Sequence, residues 1–328
     1  MKATRWFRLA KYFALGTLVA CGALAASSQQ AGKVQPGSPQ QADNPPKPPI
    51  LTPGKHFDRV LVIVLENQDY TSAMRDPFLA KMATWGASFS KFKNLYHPSY
   101  PNYLAMIAGS SFGSHSDNQV TFPDDPAHPT IADLLDWKAY AEEYPSTDQP
   151  FLRDRTGKYV RKHLPFLSFQ KIQKTSFRNV VGVNTKDPHN AFVTDVEMFR
   201  KDPKKNPLPR YMFYAPNMDD DGHDPYFFPG KGLRKASTWL ENFLKTWFPW
   251  GEKEMKGTLV VVTFDESESH NSDDLIYTVF LGDMVKNPQV VSKEYNHYSV
   301  LRTIEDNFGV GPLNKGDGDA DVITEVWK

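Results

Sequence analysis

The chain has 328 residues, of which 40% are hydrophobic and 13% aromatic, with 38 basic and 38 acidic side chains. This composition excludes a largely disordered protein, because disorder requires few apolar residues and a strong net charge. Four basic residues and no acidic one lie in the first twenty positions, so the rest carries 34 basic against 38 acidic side chains, about −4. A mildly acidic chain is a poor partner for nucleic acid, which requires a basic surface.

The N-terminal segment has the pattern of an export signal. A basic start precedes the apolar run YFALGTLVA at residues 12–20, which is too short to span a bilayer. The stretch LVAC, ending at Cys21, resembles the lipobox of bacterial lipoproteins, and Cys21 is the only cysteine; an ordinary signal cut after ALA at 23–25 is the alternative. We expect a secreted or extracytoplasmic protein, lipid-anchored at Cys21 if the lipobox is used, whose folded domain has no disulfide.

Composition divides the chain into three parts: an export signal at 1–25, a tether at 26–55 and a folded domain at 56–328. The tether is rich in Gln, Pro and Ser and poor in apolar residues, which is typical of a linker outside any core.

Within the folded domain, predicted strands and helices alternate. The strands are predicted at 59–65, 179–183, 210–215, 258–264 and 276–282, and the helices at 76–89, 101–109, 130–144, 232–248 and 298–309. The runs RVLVIVL and TLVVVTF are apolar throughout, as in strands buried on both faces. The pattern predicts an α/β fold with a mostly parallel central sheet and helices on both faces.

Acids and amides directly follow these strands. ENQDY follows Leu65, DESES follows Phe264, and MDDDGHDP comes shortly after RYMFYA. The carboxyl ends of parallel strands share one edge, where ligands bind, so Glu66, Asp265 and Glu266 are expected to meet there. Carboxylates this close repel one another, and a divalent cation with oxygen ligands relieves the repulsion. The alternative is that these acids only cap loops and helices.

Ser99 lies in the stretch HPSYPNY, at the start of the helix that ends at Gly109. We expect Ser99 to be the N-cap, with Pro101 in the first turn, where its missing N–H costs nothing. Free backbone N–H groups and the helix dipole would then form an anion site around the serine oxygen. Ser99 is thus a candidate nucleophile for phosphorus, and the alternative is a serine that only caps the helix.

Six stretches occur together in one order within residues 57–317: FDRVLVIVLENQDY, HPSYPNYLAMIAGSSFG, YVRKHLPFLSF, PNMDDDGHD, LVVVTFDESE and NHYSVLRTIEDNFGVG. They resemble the phosphoesterase family, which contains bacterial and fungal acid phosphatases and bacterial phospholipases C and is part of the alkaline phosphatase superfamily. The resemblance implies an alkaline-phosphatase-like fold and a metal-dependent phosphoric ester hydrolase with a phosphoserine intermediate. Its substrate would be a small phosphorylated molecule or a phospholipid.

The resemblance also implies roles for individual residues, each at the position that matches a family motif. The implied metal ligands are Glu66, Asn67, Ser99, Asp265 and Glu266. The implied catalytic residues are Ser99 as nucleophile, Asn102 as a donor to a phosphoryl oxygen, His223 and His297. The implied substrate contacts are Asn102, Lys162, His163, Asp221 and Asp224.

Two positions depart from the two-metal members of the superfamily. Glu266 follows Asp265 where those members have histidine, and Asn217 stands where they have aspartate. Both departures favour one divalent metal, whose identity among Ca²⁺, Mg²⁺, Mn²⁺ and Zn²⁺ stays open. We expect protonated His223 or His297 to stabilise the transferred charge instead, with activity below neutral pH.

Several alternatives remain at this point. Many phospholipase C members carry further C-terminal domains and this chain ends soon after its last predicted helix, so phosphate monoesters are favoured over phosphodiesters or phospholipids. The motif GSSFG at 109–113 fits a serine esterase with Ser111 as nucleophile, but it follows a predicted helix rather than a strand. His97 either contacts the site or only fixes the turn before Ser99. No protein partner is inferred.

Overall fold

The computed structural model describes residues 53–223, 230–249, 256–269 and 273–328. The predicted export signal with Cys21 and residues 26–52 of the predicted tether lie outside the described residues, as does Asp224.

The largest sheet in the described part of the chain has eight strands. Their spatial order is β11 (Gln289–Val291), β2 (Ala87–Phe89), β10 (Thr278–Leu281), β9 (Thr258–Phe264), β1 (Arg59–Leu65), β8 (Tyr211–Ala215), β4 (Trp137–Glu142) and β7 (Val180–Val183). Strand β10 runs antiparallel to both of its neighbours, and the other adjacent pairs are parallel. The predicted mostly parallel sheet is therefore confirmed.

Two small sheets complete the described strands. β3 (Phe92–Lys93) pairs in parallel with β12 (Tyr295–Asn296), and β5 (Arg155–Thr156) pairs antiparallel with β6 (Tyr159–Val160).

Helices cover the central strands. They are α1 (Tyr70–Ala73), α2 (Pro77–Met82), α3 (Ser99–Ala108), α4 (Gln170–Thr175), α5 (Ala191–Lys201), α6 (Lys231–Trp247) and α7 (His297–Phe308). Helix α3 packs against α7 and α2 against α6, while every residue of β9 is buried, as a strand covered on both faces requires. Among the described residues, no helix combines the length and the apolar character needed to cross a membrane.

The helix predicted at 76–89 is wrong in its second half. Helix α2 ends at Met82, and Ala87–Phe89 forms strand β2 between β10 and β11. A Cβ at Gly86 would lie 1.9 Å from the Phe280 carbonyl oxygen, so this glycine allows the backbone to approach the neighbouring strand closely. Pairing with strands more than 190 residues away therefore decides the conformation of this segment.

The helix predicted at 130–144 is also wrong. Thr130 does cap a helix, but it is a single 3₁₀ turn (Ile131–Asp133), after which Trp137–Glu142 forms β4. Strand β4 lies between β7 and β8 and pairs with both. These long-range ladders override the local helical pattern.

A turn at residues 313–317, called the C-terminal turn, holds the end of α3 against the end of α7. The amide of Gly316 donates to the Gly109 carbonyl, 2.7 Å away, at the end of α3. The buried carboxylate of Asp317 accepts hydrogen bonds from the amides of Leu313 (2.7 Å) and Lys315 (3.0 Å).

Glu305 of α7 faces this turn from the buried side. Its Oε1 accepts a hydrogen bond from the Leu313 amide at 3.3 Å, and the side chain is fully buried. Burial, reinforced by the charge of Asp317, raises the pKa of Glu305 to about 8.

This group makes the stability of the fold depend on pH. The folded state keeps the Glu305 proton up to about pH 8, while the unfolded chain releases it near the ordinary value of 4.5. Folding therefore takes up a proton in this interval, and the stability that Glu305 contributes is full below about pH 4.5 and is lost as pH rises through 8. Melting temperatures should accordingly fall less steeply between pH 5 and pH 8.5 for Glu305→Gln than for the native chain.

Glu294→Gln is the matched control, because the Glu294 side chain is 61% exposed and pairs with Lys93 on the surface. Its melting temperature should follow the native chain at every pH. Parallel pH profiles for Glu305→Gln and the native chain would show that Glu305 does not carry this dependence.

Candidate functional site

The ends of β1 and β9 bring the predicted carboxylates together. These strands pair in parallel with Leu65 opposite Phe264, so Glu66 and Asp265 leave the sheet side by side. The Asp265 amide donates to the Leu65 carbonyl at 2.9 Å, which fixes the two segments relative to each other as they leave the sheet. Glu66, Asp265 and Glu266 are all buried, as predicted for a crevice at the carboxyl edge of the sheet.

Ser99 meets this cluster from the start of α3. Its Oγ donates to Glu266 Oε1 at 2.7 Å and lies 3.3 Å from Asn67 Oδ1. Pro98, rather than Ser99, is the N-cap, so Ser99 is the first residue of a ten-residue helix. The predicted convergence of Ser99 with the β9 acids is therefore present, with a carboxylate oxygen placed to accept the serine proton.

The backbone amides at this helix start are only partly available for an anion. The Tyr100 amide donates to Asp117 Oδ1 at 3.1 Å, and Pro101 has no N–H. The expectation that the amides next to Ser99 hold a phosphoryl group is thus weakened, because Asp117 already occupies one of them.

His97 holds the other oxygen of Glu266. Its Nδ1 is in close contact with Glu266 Oε2, and its Nε2 lies 3.1 Å from Asp274 Oδ1. The sequence left His97 between a site contact and a turn residue, and the structure places it against a site carboxylate. No motif or spacing pointed to Asp274.

Lys162 and His163 lie under the site rather than at its rim. Lys162 Nζ and His163 Nε2 both lie 2.7 Å from Glu66 Oε1, and Lys162 also pairs with Asp117. Their side chains are only 14% and 4% exposed. Both residues therefore orient Glu66, which corrects their expected place as rim contacts of the substrate.

The same contacts set the charge of Glu66. Burial opposes ionisation, but His163 and Lys162 outweigh it and hold the pKa of the Glu66 carboxyl well below its usual range. Burial also opposes the charged form of Lys162, yet the carboxylate of Glu66 raises the pKa of this lysine. Glu66 is therefore an anion fixed by Lys162 and His163.

Asp221 reaches the site from the loop after β8. Its carbonyl accepts the Glu66 amide at 2.7 Å, and its Oδ1 accepts the His223 amide at 3.0 Å. Candidate ligand atoms of Glu66, His163 and Asp221 lie within 4.8 Å of one another. His223 itself is exposed at the surface of this loop.

Asn102 is placed differently from the expectation. Its Oδ1 accepts the amides of Leu95 and Tyr96, both at 3.0 Å, and its Nδ2 donates to the Tyr96 carbonyl at 2.8 Å. The side chain is fully buried. Asn102 therefore fixes the loop that precedes Ser99, and it is not positioned as a donor to a phosphoryl oxygen.

His297 also departs from its expected role. Its Nε2 donates to the Asp265 carbonyl at 2.8 Å, from the first residue of α7. Burial lowers the pKa of His297 to about 4. The ring is thus neutral in mild acid and braces the backbone of Asp265, whereas the sequence predicted a protonated histidine facing phosphate.

Asn217 is turned towards β4. Its backbone amide and Nδ2 both donate to Glu142 Oε2, at 3.1 and 2.9 Å. Glu142 Oε1 in turn accepts from the Tyr214 hydroxyl and the Trp239 indole, both at 3.0 Å. Sequence reasoning missed Glu142, since it lies in the segment that was predicted to be helical.

The remaining serine candidate does not fit an esterase. Residues 109–113 follow the end of α3, and a nucleophile elbow must follow a strand. Ser111 thus lacks the strand-to-turn setting that an esterase nucleophile requires.

A divalent cation fits the carboxylate cluster. Among the described residues, Glu66 Oε2, Asp221 Oδ2 and Asp265 Oδ2 are buried carboxylate oxygens without a hydrogen-bond partner. Burial, followed by the charge of Glu66, raises the pKa values of Asp221 and Asp265, as expected where a compensating positive charge is missing. Oxygen atoms of this kind are the ligands that hard cations prefer.

The sequence is similar to a known protein family and to fungal phosphatases. The model of the Phosphoesterase family matches residues 69–311. A probable acid phosphatase of Kluyveromyces lactis is 33% identical over 292 residues, covering 83% of this chain and 63% of the yeast protein. A phosphate-repressible acid phosphatase of Penicillium chrysogenum is 29% identical, covering 83% and 64%. The chain thus spans less than two thirds of the length of these fungal relatives.

Two other similar proteins are matched over a larger share of their own length. A phosphatidylinositol-3-phosphatase of Mycobacterium tuberculosis is 30% identical over 281 residues, covering 83% of each chain. The crystal structure of a protein in the alkaline phosphatase superfamily from Vibrio parahaemolyticus superposes with a TM-score of 0.51 at 13% identity, covering 81% of this chain and 70% of that one. This likeness confirms the alkaline-phosphatase-like fold, and the extent of the family match, residues 69–311, shows that the chain belongs to the Phosphoesterase family.

Proposed function

We propose that this chain is a metal-dependent acid phosphatase that hydrolyses phosphate monoesters through a phosphoserine at Ser99. One observation carries the proposal: Ser99 Oγ, at the start of a buried helix, lies 2.7 Å from Glu266 Oε1. A serine that only caps a helix has no need of a buried carboxylate as its partner. Such a pair is the arrangement of an activated nucleophile and its base.

The reaction has two displacement steps at phosphorus. The Ser99 proton passes to Glu266 as Oγ bonds to phosphorus, the P–O bond to the ester oxygen breaks, and that oxygen takes a proton from solvent water and leaves as the alcohol. Water then attacks the phosphoserine and gives up a proton to solvent. The P–Oγ bond breaks, Ser99 Oγ regains the proton held by Glu266, and phosphate is released. His97 supports the first step because it holds Glu266 Oε2 while Oε1 faces Ser99.

Cationic side chains and a bound cation would together balance the negative charge of the carboxylates and of the phosphoryl group. Lys162, paired with Glu66 and Asp117, is a described cation in contact with the carboxylate cluster, and His223 lies exposed on the Asp221 loop. Glu66, Asn67, Asp265, Glu266 and Ser99 would hold the divalent ion, which would supply positive charge for the phosphoryl oxygens and for the Ser99 oxygen as it loses its proton.

Relatives favour monoesters as the substrate class. The fungal relatives are named acid phosphatases, and the mycobacterial one is named a phosphatidylinositol-3-phosphatase. Small phosphate monoesters and lipid-headgroup monoesters therefore both belong to the proposed range, ahead of phospholipase C cleavage. Export and a lipid anchor at Cys21 remain predictions from the sequence.

Ser99→Ala tests the nucleophile. It should lower kcat for p-nitrophenyl phosphate by at least about 10³-fold, because the step that forms the phosphoserine is lost. Metal binding, measured by calorimetry, should weaken only slightly, since four of the five proposed ligands, among them all the carboxylates, remain.

Ser111→Ala is the matched control, because Ser111 is a buried serine on the same segment that makes no contact with the carboxylates in the described structure. It should retain native turnover. Near-native activity of Ser99→Ala would exclude the covalent route, and loss of activity in Ser111→Ala alone would favour the esterase interpretation.

Chelation tests the metal. Dialysis against EDTA should abolish hydrolysis of p-nitrophenyl phosphate, because the buried carboxylates then face the substrate uncompensated. Addition of Ca²⁺, Mg²⁺, Mn²⁺ or Zn²⁺ one at a time should restore activity with at least one of them. Full activity after exhaustive chelation would refute metal dependence.

The substrate class can be read from a matched pair of esters. The kcat/KM should be much higher for p-nitrophenyl phosphate than for bis(p-nitrophenyl) phosphate, which has the same leaving group. A preference for the diester would support the phospholipase C alternative.

A further inference from the structure

We infer that Asp274 positions the base of the proposed reaction, by holding His97 against Glu266. The inference rests on the proposed function, because the transfer of the Ser99 proton to that base is part of its first step. It goes beyond the proposed function in giving a role to Asp274, to which neither the sequence motifs nor the reaction had assigned one.

Four side chains form a continuous line of contacts that begins at Ser99. The Ser99 hydroxyl donates to Glu266 Oε1 at 2.7 Å, and Glu266 Oε2 is in close contact with His97 Nδ1. At the far side of the ring, His97 Nε2 lies 3.1 Å from Asp274 Oδ1. Glu266 is buried and Asp274 is partly exposed, so Asp274 is the outer end of this line.

The two ring nitrogens of His97 face different carboxylates. An ionised carboxylate only accepts hydrogen bonds, so Nε2 donates to Asp274. The bond made by one ring nitrogen fixes the orientation of the other, because a half-turn of the ring would break both. The contact with Asp274 therefore keeps Nδ1 against Glu266 Oε2, and this in turn leaves Oε1 facing Ser99.

Two other polar groups near His97 Nε2 are poorer partners for its proton. Asn94 Nδ2 is 3.3 Å away, but it is itself a donor and already bonds the Tyr96 carbonyl at 3.0 Å. Ser267 Oγ is 3.5 Å away, at the long limit of a hydrogen bond. Among the described residues, Asp274 thus supplies the nearest acceptor for this nitrogen.

The backbone of Asp274 is tied to the segment that precedes His97. Asp274 has φ +46°, in the left-handed region that residues other than glycine seldom adopt. Its carbonyl accepts the Asn94 amide at 3.1 Å, and the Ile276 amide donates to the Phe92 carbonyl at 2.9 Å. An unfavourable backbone conformation persists only where its surroundings fix it. These bonds therefore hold the turn beside the His97 ring.

The alternative is that Asp274 only forms this turn. Aspartate tolerates positive φ better than most residues, so the conformation alone could account for its presence. The two roles have different requirements, since the turn needs only the backbone angle, whereas positioning of His97 needs the carboxylate oxygen. Glycine meets the first requirement and not the second.

Asp274→Gly therefore separates the two roles. It should lower kcat for p-nitrophenyl phosphate by at least about tenfold, since loss of a group that orients a site residue commonly costs that much. KM should stay within about twofold of the native value, because the lost contact acts on the proton transfer and not on substrate binding. Asp274→Asn should fall between the two, because its Oδ1 can still accept from Nε2 although the charge is lost.

Asp125→Gly is the matched control. Asp125 Oδ1 lies 2.7 Å from His128 Nδ1, and these side chains are 40% and 19% exposed, against 39% and 19% for Asp274 and His97. The same kind of Asp–His pair is thus removed at a place where none of its described contacts reaches the carboxylate cluster. This variant should keep the native kcat.

A double-mutant cycle tests whether Asp274 acts through His97. His97→Ala alone should lower kcat at least as much as Asp274→Gly does. Adding Asp274→Gly to His97→Ala should change kcat by less than about twofold, because the ring on which the carboxylate acts is already gone. A further loss of about tenfold in the double variant would overturn the inference.

The outcomes distinguish this inference from the proposed function. Native kcat in Asp274→Gly, with Ser99→Ala inactive in the same assay, would overturn the inference and leave the phosphatase proposal intact. Near-native activity of Ser99→Ala would remove the proton transfer that Asp274 is inferred to support, and the inference with it. If Asp274→Gly melts well below the native chain, Asp274→Asn takes its place, and a native kcat in that variant would count equally against the inference.

Discussion

The parallel pairing of β1 with β9 is the constraint on which the site depends. It places Glu66 and Asp265 at adjacent strand ends, both fully buried, where two carboxylates repel each other strongly. The fold offsets only part of this repulsion, through the contacts of Lys162 and His163 with Glu66. The remaining negative charge is built into the sheet and can be neutralised only by a cation or by protons. Every other element of the site either supplies another oxygen to this cluster or orients one.

Helix α3 couples Ser99 to distant parts of the chain. Ser99 stands at its first turn and Gly109 ends it, with φ +64° and a carbonyl that accepts the Gly316 amide. A Cβ at Gly109 would lie 2.1 Å from Asp317 Oδ1, so the C-terminal turn packs directly against the end of this helix. Since every residue of α3 is buried, the helix cannot shift along its axis without disturbing both ends. The position of Ser99 relative to Glu266 therefore depends on contacts more than 200 residues further along the chain.

Much of this arrangement could be predicted from local sequence. An apolar run followed at once by an acid, as at Leu65–Glu66 and Phe264–Asp265, reports both a buried strand and the group at its end. The segment 137–142 could not be read in this way, because its strand conformation comes from pairing with β7 and β8. The same holds for Asn102 and His297. A motif gives their place in the chain, but only the folded loop shows that one binds the backbone of Tyr96 and the other the carbonyl of Asp265.

Two hydrogen-bonded positions support the single cation of the proposed function. Asn217, at the position where two-metal members have an aspartate, gives its side-chain amide to Glu142 and so offers no anionic oxygen to a second ion. Glu266, where those members have a histidine, is held between Ser99 and His97. Both positions that would complete a second metal site are thus committed to hydrogen bonds within the protein. In the proposed reaction, the charge that a second ion would carry would come from side chains. Lys162, which contacts Glu66, and His223, on the Asp221 loop, are two described candidates.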